Sequence, residues 1–204
     1  MKATIYTVGH STYPAMHFVQ LLTRHEITAI ADVRSQPYSR MNPQFNRESL
    51  QAVLKSVGIA YVFLGRELGA RSSDESCYVN GKVQYDRLAQ TSLFREGLDR
   101  IEQGLSKHRI ALMCAEKDPL TCHRSILICR HLVVRNIAVH HIIGDGRLES
   151  HDEALARLLR ELKIEQADLF RNLNELFTEA YSLRGEQIAY VEKPTLDASN
   201  RVAR

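Results

Sequence analysis

Residues 110–143, IALMCAEKDPLTCHRSILICRHLVVRNIAVHHII, constrain the fold of this chain more than any other stretch. They open with the apolar run Ile110-Ala111-Leu112-Met113, which reads as a buried strand. A polar segment follows, and residues 125–134 then carry apolar side chains at helical spacing. A second apolar run, residues 137–143, closes the stretch, so the order is strand, loop, helix, strand, the outline of a βαβ unit. Its loop gathers Cys114, Glu116, Asp118, Cys122, His123 and Arg124 between a buried strand and a helix N-terminus. Reactive and charged groups crowded at such a place mark a functional site rather than packing alone.

The rest of the chain repeats the alternation. Residues 4–8 form a β-rich run ending at Gly9-His10-Ser11-Thr12, where Gly9 permits a tight turn and Ser11 or Thr12 can cap the helix that Pro14 begins. A second strand precedes a loop punctuated by Pro37 and Pro43, and Asn46 is expected to cap the next helix, to about residue 57. Residues 72–84 are polar, with Asn80-Gly81 as a turn signal, and read as an insertion or lid. Residues 85–105 have helical periodicity. Ser150 with Glu153 makes a capping box for a helix to about 162, and a second helix is expected over about 166–183. Alternating elements predict an α/β fold: a mostly parallel five-stranded sheet (about 4–9, 28–33, 59–64, 109–114 and 137–143), helices on both faces, and a C-terminal helical appendage. The expected division is a core domain over 1–150 with a cleft at the strand ends, a helical hairpin over 151–184 and a flexible tail over 185–204.

Bulk properties exclude little but exclude it cleanly. No run of about 18 apolar residues exists, so no membrane span is expected. The N-terminal MKATIYTVGH lacks the apolar core of a signal peptide, which points to the cytoplasm, where four cysteines stay thiols. The formal net charge of +3 permits an anionic ligand or nucleic acid without arguing for either.

Parallel strands place their carboxyl ends on one rim, where ligands bind. His10 and Ser11 follow the first strand, Asp32 and Arg34 the second, Arg66 and Glu67 the third, and Cys114 and Glu116 the fourth. Cys114, beside a helix N-terminus and Arg124, has the surroundings of a lowered thiol pKa and of a nucleophile, with packing as the plain alternative. Glu116, His123 and His10 are candidate proton carriers. Arg34 and Arg124 are candidate anion ligands, or partners of Asp32 and Glu116 in internal ion pairs. Arg40, Arg66 and Tyr38, with Phe45, Tyr61 and Tyr78, could hold and stack on a base. Cys114, Cys122 and His123 also offer three metal ligands, although their spacing is not that of a zinc knuckle. No cofactor is specified.

Several of these segments occur together in a known family. Thr7-Val8-Gly9-His10-Ser11, Asp32-Val33-Arg34-Ser35 with Pro37, Ser39-Arg40 and Phe45, Arg66-Glu67-Leu68-Gly69, and Met113-Cys114-Ala115-Glu116 to Cys122-His123-Arg124 resemble the domain of unknown function 488 over about residues 4–155. Ala70 departs from that pattern, where a second glycine often stands. The resemblance implies an α/β protein and leaves the activity open. Ile30-Ala31-Asp32-Val33-Arg34 is more distantly similar to rhodanese-like domains. Those wrap an anion with a short cysteine-to-arginine loop, whereas nine residues separate Cys114 from Arg124 here.

The sequence therefore favours an enzyme, a cysteine-dependent transferase or hydrolase, acting on a small anionic or nucleotide-like ligand. Cys114 would be its nucleophile and Arg34 and Arg124 its anion ligands, with Asp32, Ser11, Arg40, Arg66 and Tyr38 nearby. Two alternatives stay open: a nucleic-acid or modified-base binding module, and a metal-dependent hydrolase built on Cys114, Cys122 and His123.

Overall fold

The computed structural model describes residues 2–165 and 171–192. In chain order the elements are β1 (Thr4–Gly9), α1 (Ala15–Arg24), β2 (Ala29–Asp32), α2 (Arg47–Ser56), β3 (Ala60–Phe63), α3 (Gly65–Leu68), β4 (Tyr78–Val79), β5 (Lys82–Val83), α4 (Tyr85–Ala89), α5 (Ser92–Leu105) and β6 (Ile110–Cys114). A π-helical stretch, Arg124–Cys129, runs straight into α6 (Arg130–Val134). It is followed by β7 (Ala138–Ile142), β8 (Leu148–Ser150), α7 (His151–Glu161) and α8 (Leu173–Ile188).

Five strands pair in parallel in the order β3-β2-β6-β1-β7, matching the five expected strands and their direction. A sixth, β8, adds antiparallel to β7 at the edge. Leu148-Glu149-Ser150 is short and half polar, so no apolar run announces it. Asn80-Gly81 does turn a hairpin, β4 against β5, with both residues at positive φ.

Side-chain alternation sorts β6 between two cores. Ala111 and Met113 join Phe18, Leu21, Leu22, Leu50 and Leu54 of α1 and α2 on one face. Ile110, Leu112 and Cys114 join Phe94, Leu98, Ile101, Leu127, Ile128 and Leu132 on the other. Each such side chain, taken from water, contributes about 1.5–3 kcal/mol. Helices thus cover both faces, and Cys114 comes to the end of the second one. The connections from β2 and β6 diverge, β2 leading to its neighbour β3 and β6 across the sheet to β7. A crevice opens where neighbouring strands part in this way. A third cluster packs Leu120 and Ile126 against Leu155, Leu158 and Leu159 of α7 and Leu176 and Ala180 of α8.

Several local expectations are corrected. Neither Ser11 nor Thr12 caps α1, whose N-cap is Pro14 without a side-chain bond; Ser11 is instead held at φ 48°. Asn46 precedes α2 but does not cap it, because its Oδ1 accepts the Ser39 N–H at 2.7 Å. Residues 85–105 are two helices, broken where Thr91 accepts the Phe94 N–H and starts α5. Gly9 serves close approach, since an added Cβ would overlap the Glu116 carbonyl oxygen and lie 2.8 Å from its carbon. The Ser150–Glu153 capping box is formed. The start of the second C-terminal helix, expected near 166, falls partly outside the described residues; the described helix runs from Leu173 to Ile188, beyond residue 185, where periodicity fades. Past it, Val83 donates to the Tyr190 carbonyl at 3.0 Å and Glu192 to that of Gly81 at 2.8 Å, adding the chain to the hairpin. The remainder of the expected tail, 193–204, is likewise outside the described residues.

Candidate functional site

A cleft of about 310 Å³ lies over the ends of β2 and β6. Its inner wall is Cys114, Glu116, Cys122 and His123, and its outer wall includes Arg34, Tyr38, Arg71, Tyr85, Ile188 and Tyr190. Such a volume is at the small end of ligand-binding pockets.

Cys114 ends β6 and is buried. Residues 115–121 then fold on themselves: Asp118 accepts the Leu120 N–H at 2.9 Å and opens a 3₁₀ turn, Pro119–Thr121. That turn returns the chain, so Cys122 and His123 stand beside Cys114. The Cys114 Sγ, Cys122 Sγ and a His123 ring nitrogen all lie within 4.8 Å of one another. His123 Nδ1 is 3.7 Å from Cys114 Sγ and 3.9 Å from Cys122 Sγ. Its Nε2–H donates to the Val33 carbonyl at 3.0 Å, which turns Nδ1 toward the sulfurs; burial lowers the His123 pKa, but the bond to Cys122 and the Cys122 charge outweigh it and raise it. The π-helical stretch begins at Arg124, next to this corner, a placement common at functional sites.

Arg124 is 1% exposed and does not reach the cleft. Its Nη1 donates to the Glu116 carbonyl at 2.7 Å, its Nη2 to that of Lys117 at 3.2 Å, and its Nε to Thr7 Oγ1 at 3.4 Å. The backbone N–H of Arg124 points at Cys122 Sγ at 3.4 Å. A permanently charged guanidinium buried among neutral acceptors calls for a nearby negative charge. The acidic groups that reach it electrostatically are Cys122, Cys114 and Glu116. Burial alone would raise the Cys122 thiol, but the Cys114 thiol, Arg124 and His123 outweigh it and hold Cys122 well below the usual thiol range. Burial pushes the Cys114 thiol up with no such compensation, so of the two sulfurs Cys122 is the one its surroundings favour as the anion. Cys122 Sγ lies 3.0 Å from Glu116 Oε2, a contact in which one proton is shared between the sulfur and the carboxyl. Glu116 opens to the cleft, yet its carboxyl is desolvated against the sulfurs; that desolvation and the Cys122 charge raise its pKa.

Arg34 is at the cleft but largely committed elsewhere. Its Nε and Nη2 grip the two Asp32 oxygens at 2.9 and 2.6 Å, Nη2 also donates to the Phe45 carbonyl at 2.9 Å, and Nη1 to His10 Nε2 at 3.2 Å. One of its five N–H groups is left over. Asp32, wholly buried, takes a further bond from Tyr61 Oη at 2.7 Å. His10 Nδ1–H donates to the Ser11 carbonyl at 2.8 Å, so Nε2 must accept from Arg34. Burial lowers its pKa to about 4 and keeps it neutral, stacked on Phe45 at 4.2 Å.

The structure therefore brings together Cys114, Glu116, Cys122 and His123 as predicted, with Tyr38 and one edge of Arg34 on the opposite wall. His10, Asp32 and Arg124 are buried behind the site and act through other groups. Ser11, Arg40 and Arg66 do not line the cleft, and Arg40 and Arg66 are exposed. Loop and helix N–H groups here are spent internally, Cys122 on the Pro119 carbonyl and Ser125 and Ile126 on that of Cys122, so this longer loop does not present them to an anion as a short cysteine-to-arginine loop would. Phe45 is core, and Tyr61 and Tyr78 bond to Asp32 and Ser72. Sequence reasoning missed Arg71, Tyr85 and Tyr190; only Arg71, which closes the Gly65–Arg71 loop, carried a local signal. Among the described residues no helix is long and apolar enough to cross a membrane.

The family model described as "Domain of unknown function DUF488" matches residues 15–130, more than half of the chain. No curated protein and no solved structure matches it.

Proposed function

We propose that this chain, which belongs to the family of the domain of unknown function DUF488, is a metal-dependent hydrolytic enzyme whose ion, zinc, is held by Cys114, Cys122 and His123. One observation carries the reading: two sulfurs and an imidazole nitrogen converge within 4.8 Å of one another. Bond lengths of about 2.3 Å to sulfur and 2.0 Å to nitrogen put tetrahedral S···N edges at about 3.5 Å. The edges here are 3.7 and 3.9 Å. The His123 bond to the Val33 carbonyl is the outer-shell support that metal-bound histidines require. Two cysteines and one histidine from the protein leave a fourth position, the arrangement of catalytic rather than structural zinc.

The ion would supply Lewis-acid activation of water or of a substrate carbonyl. Glu116, open to the cleft and 3.0 Å from Cys122 Sγ, receives a proton from the attacking water and returns it to the leaving group. Arg124 fixes the Glu116 and Lys117 carbonyls and so sets where that carboxyl stands. A thiol-nucleophile reading also has its own observation, the Arg124 N–H on Cys122 Sγ, and would move the nucleophile from Cys114 to Cys122.

Elemental analysis of protein purified without chelators decides between them. About one zinc per chain is expected, lost in Cys122→Ser and in His123→Ala with the circular dichroism spectrum unchanged. Metal-free protein that fails to take up zinc, with Cys122 rapidly alkylated at neutral pH, would sink the metal reading and leave the thiolate.

A further inference from the structure

Arg71 is a cation on the outer wall of the cleft. Its guanidinium carbon stands 4.2 Å over the Tyr190 ring centroid. Its own backbone is pinned, the N–H donating to Ser35 Oγ at 3.0 Å. Tyr190 is pinned in turn by the Val83 N–H on its carbonyl. Among the described residues no carboxylate lies within ion-pair distance of Arg71, as is also true of Arg40, Arg66 and Arg109, but of these only Arg71 lines the cleft. Stacking holds the guanidinium plane while leaving its N–H edges open, the presentation that suits a two-pronged grip on an oxyanion. Arg34 lines the same space, and among the described residues Glu116 is the one carboxylate lining it.

Resting on the metal reading above, we infer that Arg71, oriented by Tyr190, binds an oxyanion of the substrate, so that the enzyme takes small phosphorylated or carboxylated molecules whose scissile group reaches the inner wall. The shared chemistry is an oxyanion presenting two oxygens to one guanidinium. Arg71 is then a specificity-determining residue remote from the reacting bond, and its grip contributes to positioning.

The test is calorimetric titration of zinc-loaded protein with inorganic phosphate and, separately, with acetate, for wild type, Arg71→Gln, Arg71→Lys and Tyr190→Ala. We expect at least one anion to bind, with affinity at least tenfold weaker in Arg71→Gln, an intermediate loss in Arg71→Lys and Tyr190→Ala, and zinc content unchanged in all. The anion that binds identifies the source of the oxyanion. Binding of neither anion to wild type, or equal binding to wild type and Arg71→Gln, overturns the inference while the zinc measurement stands on its own. Arg71-dependent anion binding by a protein that holds no zinc supports the oxyanion site and rejects the metal.

Discussion

Gly9→Ala tests whether the site depends on how closely two strand-end loops approach. In the native structure the Gly9 Cα faces the Glu116 peptide, and an added Cβ would stand 2.8 Å from the Glu116 carbonyl carbon and 3.1 Å from Lys117 Cα. Carbon atoms rest at about 3.5–4.0 Å, so the 116–117 segment must retreat by roughly 1 Å. It cannot do so freely. The Glu116 and Lys117 carbonyls are held by Arg124, and the Ala115 carbonyl by the Ser11 N–H at 2.9 Å. Overpacking of this kind costs about 1–3 kcal/mol. Strain on the shell supporting a metal ligand set costs roughly 10–100-fold in affinity. Zinc affinity measured by competition with a chromophoric chelator, alongside urea unfolding, reads both. Wild-type zinc affinity in a folded Gly9→Ala protein would refute the reasoning, because the approach would then be dispensable.

Two further outcomes follow from groups outside the cleft. Arg157 grips Asp118 at 2.9 Å and Glu149 at 2.9 Å, tying α7 to the turn that returns the chain to Cys122. Arg157→Met leaves the poorly exposed Glu149 unpaired and should lower stability by about 1–2 kcal/mol, discounted for the partial exposure of the hub; an unchanged Tm would refute this. Burial holds both His10 and His151 at about 4 in the folded chain. The unfolded chain protonates first, near the ordinary value of 6.5, so this stabilisation is complete above about pH 6.5 and fades toward pH 4. Each histidine should cost on the order of 2 kcal/mol at pH 5. Urea unfolding at pH 7 and pH 5 that gave the same free energy would contradict it.

What was legible in the sequence was what is local. The apolar run marked β6 because a strand buried on both faces has little other composition available. The Ser150–Glu153 spacing marked a helix start because both partners lie within one turn. Cys114, Glu116, Cys122 and His123 were legible because a single loop carries them. Arg124 was misplaced as an anion ligand because its charge says nothing about burial, which depends on backbone carbonyls at 116 and 117 turning inward. The split at Thr91 and the π-helical stretch are hydrogen-bond choices that leave apolar periodicity nearly unchanged. Tyr190 lies 119 positions from Arg71 in the chain and meets it only because residues 189–192 pair with the hairpin.

The cleft has two unequal origins. Cys114, Glu116, Cys122 and His123 fall within the stretch matched to the family, while Ile188 and Tyr190, on the opposite side, fall outside it. On the proposed reading, the reacting groups and the oxyanion-gripping Arg71 are both encoded inside the matched stretch, and only the aromatic ring that orients Arg71 is encoded beyond it.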